Sequence, residues 1–217
     1  MSRSTTHKGK LKGLYAITDE NLITNARFSE AVELALQGGA RIIQYRDKSN
    51  NPQKRLQQAT ILCSLCEQYQ TVSIINDDIE LAKAVNADGV HLGKDDISLA
   101  KARQILGDKT IIGVSCYNDL SLAVKAEENT ADYVAFGAMF PSATKPRAIV
   151  AGPDIISQAK QQLSIPVCSI GGITINNIHQ VIQHGADMTA VISDLFSADD
   201  IQHTAKQLSQ QFSYSHH

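Results

Sequence analysis

The sequence predicts an α/β fold in which eight parallel strands alternate with helices and close into a single-domain (β/α)8 TIM barrel. Three observations predict it. Eight short apolar, β-branched runs recur along the 217 residues, each is followed by a segment of helical periodicity, and no linker or low-complexity stretch interrupts them. Strands apolar along their whole length must be buried on both faces, which is the condition of a parallel sheet covered by helices. A (β/α)8 barrel typically takes ~250 residues, with ~200 as a lower bound, so this chain makes a compact one with short loops. The rival, an open doubly wound sheet, calls for G-x-G-x-x-G after its first strand; here that turn reads Thr18-Asp19-Glu20-Asn21.

In order, the strands are expected at Leu14–Thr18, Arg41–Tyr45, Val72–Ile75, Gly89–Leu92, Ile111–Val114, Tyr133–Phe136, Pro166–Ile170 and Thr189–Ile192. The helices follow at Phe28–Gln37, Pro52–Tyr69, Ile79–Val85, Leu99–Leu106, Asp119–Glu128, Asp154–Gln162, Ile175–His184 and Asp199–Gln211. Gly38-Gly39-Ala40 and Gly185-Ala186-Asp187 read as helix stops before strands two and eight. The barrel is expected over 13–212, with a flexible segment at 1–12 and a flexible tail at 213–217.

Composition bounds the function. Hydrophobic residues make up 43% and charged residues 19%, the balance of a globular protein with a sizeable core. A formal net charge of −2 gives no broad basic surface for nucleic acid or an anionic membrane, so anion recognition must be local. The polar, basic start, Met1 to Lys12, has no apolar run that could serve as a secretory signal or membrane span, and a cytoplasmic protein is expected. Cys63, Cys66, Cys116 and Cys168 are too few for a disulfide scaffold. The C-x-x-C at Cys63 lies in a helical stretch with no second pair to complete a zinc site, so reduced helix cysteines are expected.

Reactive residues of such barrels sit at the C-terminal strand ends, and here those ends are polar. Strand two leads into Gln44-Tyr45-Arg46-Asp47-Lys48, strand three into Asn76-Asp77-Asp78, strand four into His91-Leu92-Gly93-Lys94-Asp95-Asp96, and strand five into Ser115. Strand six leads into a loop with Ser142, Ala143, Thr144 and Lys145, able to grip an anion or to be an ordinary loop. Gly171-Gly172 after strand seven, just before a helix, and Ile192-Ser193 after strand eight occupy the recurrent phosphate position of the fold. Arg46 and Lys48, two residues apart in extended chain, share a face and with Lys145 make a cationic set for a second anion; singly, each reads as a surface charge. Asp77 and Asp96 follow neighbouring strands and suit Mg²⁺, which takes one or two protein carboxylates. On spacing alone, helix capping explains them equally, and the nearby cations favour the metal. For Asp78 the cap is preferred.

These residues fall in motifs that resemble thiamine phosphate synthase, also called thiamine-phosphate pyrophosphorylase. The motifs are LYAITD at 14–19, QYRDK at 44–48, IINDD at 74–78, DGVHLGKDD at 88–96, IIGVS at 111–115, DYVAFGAMFPSATK at 132–145, SIGGIT at 169–174, GAD at 185–187 and VIS at 191–193. The resemblance implies a transferase that joins hydroxymethylpyrimidine pyrophosphate to a thiazole phosphate, giving thiamine monophosphate and pyrophosphate. It implies a pyrimidine pyrophosphate site at Gln44 to Lys48, Asn76, Ser115 and Lys145, with Mg²⁺ on Asp77 and Asp96. It also implies a thiazole phosphate site at Ser142 to Thr144, Gly172, Ile192 and Ser193. Arg46, Lys48 and Lys145 become the groups that stabilise the departing pyrophosphate, and His91 receives no catalytic role, only packing or hydrogen bonding. Family members usually carry glutamine where this chain has Lys94, which leaves Asp95 as a rival to Asp96 for the metal. The family's habit further implies a homo-oligomer acting on phosphorylated small molecules. Two other readings remain: a thiazole tautomerase on the same barrel, which has no need of the metal and pyrophosphate site, and a catalytically silent barrel that binds phosphates.

Overall fold

The computed structural model describes residues 9–141 and 149–213. Eight strands, β1 (Gly13–Ile17), β2 (Ile42–Tyr45), β3 (Val72–Asn76), β4 (Gly89–Leu92), β5 (Ile111–Tyr117), β6 (Tyr133–Phe136), β7 (Val167–Ile170) and β8 (Met188–Val191), close in sequence order into one parallel barrel. Closure is the pairing of β1 with β8, Tyr15 opposite Ala190. Around it lie α1 (Phe28–Gln37), α2 (Pro52–Gln68), α3 (Ile79–Ala84), α4 (Leu99–Leu106), α5 (Leu120–Glu128), α6 (Asp154–Gln162), α7 (Ile178–Gln183), α8 (Ser193–Phe196) and α9 (Ile201–Gln210).

Strand side chains alternate between two cores, as a pleated barrel requires. Outward residues such as Leu14, Ile43, Ile75, Val90, Ile112 and Val134 pack beneath the helices. Inward residues such as Tyr15, Ile42, Ile74, Ile111, Tyr133, Cys168 and Met188 fill the barrel. Leu11, which the sequence places in the loose first segment, is 1% exposed and belongs to the inner core. Residues 1–8 and 214–217 lie outside the described residues.

The floor of the barrel, at the N-terminal strand ends, is held by a repeated device. Asp88, Asp132 and Asp187 each precede an even-numbered strand, and each accepts a backbone N–H from the preceding strand: Ser73 at 2.9 Å, Ile112 at 2.8 Å and Val167 at 2.8 Å. Each follows an alanine and a left-handed residue: Asn86 (φ 52°), Thr130 (φ 74°) and Gly185 (φ 96°). Asp132 also pairs with Arg103 at 2.6 Å, whose guanidinium donates to the carbonyls of Gly107, Thr110 and Thr130. The N-terminal strand ends are therefore cross-linked strand to strand by side-chain hydrogen bonds.

Three elements differ from the sequence expectation. β5 extends through Ser115 to Tyr117, with a register irregularity between them, so Ser115 is an inward strand residue and not a loop residue. α7 starts at Ile178, because Thr174 and Asn177 first close a turn in which the Thr174 N–H meets Asn177 Oδ1 at 2.8 Å. The four-residue α8, too short to produce a periodic signal, carries Ser193 as its first residue.

Candidate active site

Alternation along β2 sorts the QYRDK segment. Gln44 points into the barrel mouth and the charged ends of Arg46 and Lys48 reach carboxylates on neighbouring strand ends, whereas Tyr45 and Asp47 turn the other way. Tyr45 is 2% exposed and meets Phe28 edge-on at 5.8 Å, with its hydroxyl 3.2 Å from Gln58 Oε1. Asp47 pairs with Lys54 at 2.7 Å and accepts the Ser49 N–H at 2.7 Å. Burial pushes the Asp47 carboxyl up, but Lys54 and Ser49 outweigh it and hold the group below the usual carboxylate range. The period of two turns the side chains of both Tyr45 and Asp47, expected at the substrate site, toward the helix layer.

Arg46 is tethered from β1. Its N–H donates to Thr18 Oγ1 at 3.0 Å, and its Nη1 lies 3.2 Å from Asp19 Oδ2 and 4.0 Å from Glu20 Oε2. Glu20 also accepts the Lys48 N–H at 3.2 Å. Asp19 and Glu20 are not among the site residues expected from the sequence. Their signal was an acidic pair at the end of strand one, beside a strand that ends in two cations.

Asp77 comes to the same place in a left-handed conformation (φ 62°), its N–H bonded to the His91 carbonyl at 2.9 Å. Lys48 Nζ sits 2.5 Å from Asp77 Oδ2. Asp96, anchored by the Gly93 N–H at 2.6 Å, faces Asp77 closely enough for the two carboxylates to share a hydrogen bond. Burial and then Asp77 push the Asp96 carboxyl up. Burial acts likewise on Asp77, but the hydrogen bond from Lys48 outweighs it and holds Asp77 down. Two carboxylates pressed together beside one ammonium carry surplus negative charge, which fits a hard divalent cation. Asp95 is exposed, as is Lys94, so Asp96 is the carboxylate that meets Asp77. Among the described residues, no group of three or more His, Cys, Asp or Glu side chains gathers as a metal site. Asp78 caps α3, accepting the Leu81 N–H at 2.9 Å and pairing with Arg55 at 2.8 Å.

Below these charges a hydrogen-bonded chain crosses the barrel interior. Gln44 Nε2 donates to Tyr15 Oη at 2.7 Å, the Tyr15 and Tyr133 hydroxyls are 2.9 Å apart, Tyr133 Oη is 2.9 Å from His91 Nδ1, and His91 Nε2 is 2.8 Å from Ser115 Oγ. Burial raises both tyrosine hydroxyls well above their ordinary values and pushes His91 down to about 4, so all three are neutral near pH 7. Space for the chain comes from Gly113, opposite both His91 and Tyr133, where any Cβ would collide with the Tyr133 ring. Tyr15 and Tyr133 are not among the expected site residues, although a tyrosine at an inward barrel position needs a partner for its hydroxyl. Asn76 stands on β3 opposite His91, half-buried at the mouth.

The other side of the mouth is backbone. The Met139 and Phe140 N–H groups bond to the Ile170 and Gly171 carbonyls at 3.0 Å, extending the β6 and β7 pairing upward. Gly172 (φ 67°) passes so close that a Cβ would lie 2.5 Å from the Phe140 carbonyl oxygen. Asn177 Nδ2 holds the Gly172 carbonyl at 2.9 Å, and Asp194 accepts the Ile175 N–H at 2.9 Å, tying this loop to α8. Ile192 precedes α8 and packs on the inner core, and Ser193 opens the helix. Ser142, Ala143, Thr144 and Lys145 lie outside the described residues. Cys63 and Cys66 are free thiols pushed up by burial to about 11 and about 12, which suits structural and not nucleophilic cysteines.

The chain matches the family model described as thiamine monophosphate synthase over residues 14–195. It is 51% identical over 202 residues to a thiamine-phosphate synthase of Nitrosococcus oceani, covering 93% of each chain. To the corresponding protein of Marinobacter nauticus it is 48% identical over 206 residues, covering 94% of this chain and 92% of that one. Among solved structures, a thiamine phosphate pyrophosphorylase from Pyrococcus furiosus superimposes with a TM-score of 0.88 at 34% identity, covering 97% of this chain and 99% of that one. A geranylgeranylglyceryl phosphate synthase from Thermoplasma acidophilum, with a TM-score of 0.72 at 17% identity, shares the fold alone. Nearly the whole barrel, strand ends included, is thus matched in order, and the chain belongs to the thiamine monophosphate synthase family of transferases.

Proposed function

We propose that this enzyme transfers the pyrimidine-methyl group of 4-amino-5-hydroxymethyl-2-methylpyrimidine pyrophosphate to the nitrogen of hydroxyethylthiazole phosphate, with Mg²⁺ held by Asp77 and Asp96. The observation that carries the reading is the meeting of Arg46, Lys48, Asp77 and Asp96 above the neutral Gln44–Ser115 chain. A cluster of charged groups supports binding of a pyrophosphate beside it, and the uncharged hydrogen-bonding groups below support binding of a heteroaromatic ring.

In this reading the C–O bond to pyrophosphate breaks first and both electrons leave with the phosphate oxygen. The thiazole nitrogen then gives its lone pair to the cationic methylene carbon. Because that nitrogen carries no proton, no general base is required. When bound, Mg²⁺ supplies positive charge to the leaving oxygens. Arg46, pre-set by Asp19, and Lys48, shared with Asp77, supply the remaining fixed charge, which stabilises without reorganising as the bond breaks. Lys145 is assigned the same work, and Ser142, Ala143 and Thr144, with Gly172, Ile192 and Ser193, the binding of the thiazole phosphate. A cytoplasmic setting fits the four free thiols, and a homo-oligomer fits the family's habit. The test is pyrophosphate release on mixing the purified enzyme with both precursors and Mg²⁺. A tautomerase or a silent binder would release none.

A further inference from the structure

We infer that His91, with Tyr133 and Tyr15, is a positioning residue that forces the Ser115 hydroxyl to donate its proton into the barrel mouth. The inference deepens the proposed function and rests on it for the identity of the acceptor, an anionic oxygen of the pyrimidine pyrophosphate.

Hydrogen-bond polarity runs one way along the chain from Gln44 to Ser115. An amide nitrogen only donates, so Tyr15 Oη accepts from Gln44 Nε2 at 2.7 Å. The Tyr15 proton is then left for Tyr133 Oη at 2.9 Å. Tyr133, having accepted, donates its own proton to His91 Nδ1 at 2.9 Å. A neutral imidazole whose Nδ1 accepts carries its proton on Nε2, which therefore donates to Ser115 Oγ at 2.8 Å. Ser115 is the only member whose proton is still unassigned. Among the described residues its Oγ has no partner but His91, and Ser115 is half-buried on the mouth side of the barrel.

With Gln44 donating, a reversal at Tyr15 or at Tyr133 leaves that buried hydroxyl's proton without an acceptor in the chain, which is the costly arrangement. Turning the Gln44 amide over would reverse every bond, place the histidine proton on Nδ1 and consume the Ser115 proton on His91. The fold is built for this contact: Gly113 vacates the space that the Tyr133 ring occupies, and the His91 and Tyr133 rings stack at 5.6 Å and 27°. Charge is absent along the whole chain, so it transmits orientation while the cations above it supply the field.

The decisive experiment is the tautomer of His91 in the free, ¹⁵N-labelled protein at neutral pH, read from its ring nitrogen shifts and assigned by the signal lost in His91→Gln. A proton on Nε2 with a bare Nδ1 is expected, and a proton on Nδ1 overturns the inference. A second arm is a double-mutant cycle. Tyr133→Phe, which keeps the ring, should lower kcat about 5- to 10-fold with a much smaller change in KM. In a Ser115→Ala background the same change should cost less than about two-fold, since the proton it orients is gone. Losses that multiply independently would mean Tyr133 acts only through the fold. The tautomer needs no substrate, so a wild type that releases no pyrophosphate would sink the proposed reaction and leave the polarity of the chain standing, whereas an Nδ1 proton would sink the polarity and leave the reaction.

Discussion

Asp19 holds the charge of Arg46 in place. Its oxygen 3.2 Å from Arg46 orients the guanidinium at low cost, because an ion pair this close to solvent adds only ~0–1 kcal/mol to stability. Asp19→Asn should therefore leave the melting temperature nearly unchanged while lowering kcat/KM about 10-fold, roughly 1.4 kcal/mol of transition-state stabilisation. An equal loss in thermal stability would show the pair to be structural. The carboxylates Asp77 and Asp96 predict a pH dependence with a definite sign. A metal requires both ionised, and Asp96 is pushed up by burial and by Asp77, so Mg²⁺ affinity should be complete near neutrality and decline as pH falls toward the raised Asp96 value. Calorimetric titration with Mg²⁺ alone, repeated at falling pH, measures this. In Asp77→Asn one of the two carboxylates is gone, and the heat of Mg²⁺ binding should be lost at every pH.

At the scale of elements, the barrel trades side-chain volume for a polar interior. Gly113 is the clearest case, since a Cβ there enters the Tyr133 ring. Gly113→Ala should cost about 1–3 kcal/mol, the usual range for overpacking, and should disturb activity by moving Tyr133 from His91. The floor obeys different rules. Asp132→Ala removes the partner of Arg103 and of the Ile112 N–H together, leaving a nearly buried cation uncompensated. About 3–5 kcal/mol of stability should be lost in denaturant unfolding, with kcat of the folded fraction little changed, because the reacting groups are at the other end. Most elements were legible because fully apolar runs and 3.6-residue periods reflect burial directly. The end of β5 was not, because Ser115, Cys116 and Tyr117 follow no alternation where the strand register slips. Nor was α8, whose four residues complete about one turn.

For the whole molecule, the sequence located the mouth of the barrel more readily than its interior. Charged residues crowded after apolar runs announce themselves, and so the gathering of Arg46, Lys48, Asp77 and Asp96 at the mouth could be anticipated from position. Tyr45 and Asp47 sit in the same motif yet serve the helix layer, a distinction that appears only once the β2 register fixes which face is inward. The Tyr15–Tyr133–His91 chain draws on three strands, and no spacing along one chain reveals that their hydroxyls and ring meet. In the proposed reaction these strand ends, with Mg²⁺ on Asp77 and Asp96, expel pyrophosphate as they build thiamine monophosphate. The most direct measurement sets pyrophosphate release by the wild type against that of Asp77→Asn/Asp96→Asn, with both precursors, with Mg²⁺ or a chelator, and with melting curves on both proteins. The prediction is Mg²⁺-dependent release matched mole for mole by thiamine monophosphate, lost by at least about 100-fold, roughly 2.7 kcal/mol, in a double variant that still folds. Release that persists in the folded variant or in chelator, or a wild type that releases none, would contradict it.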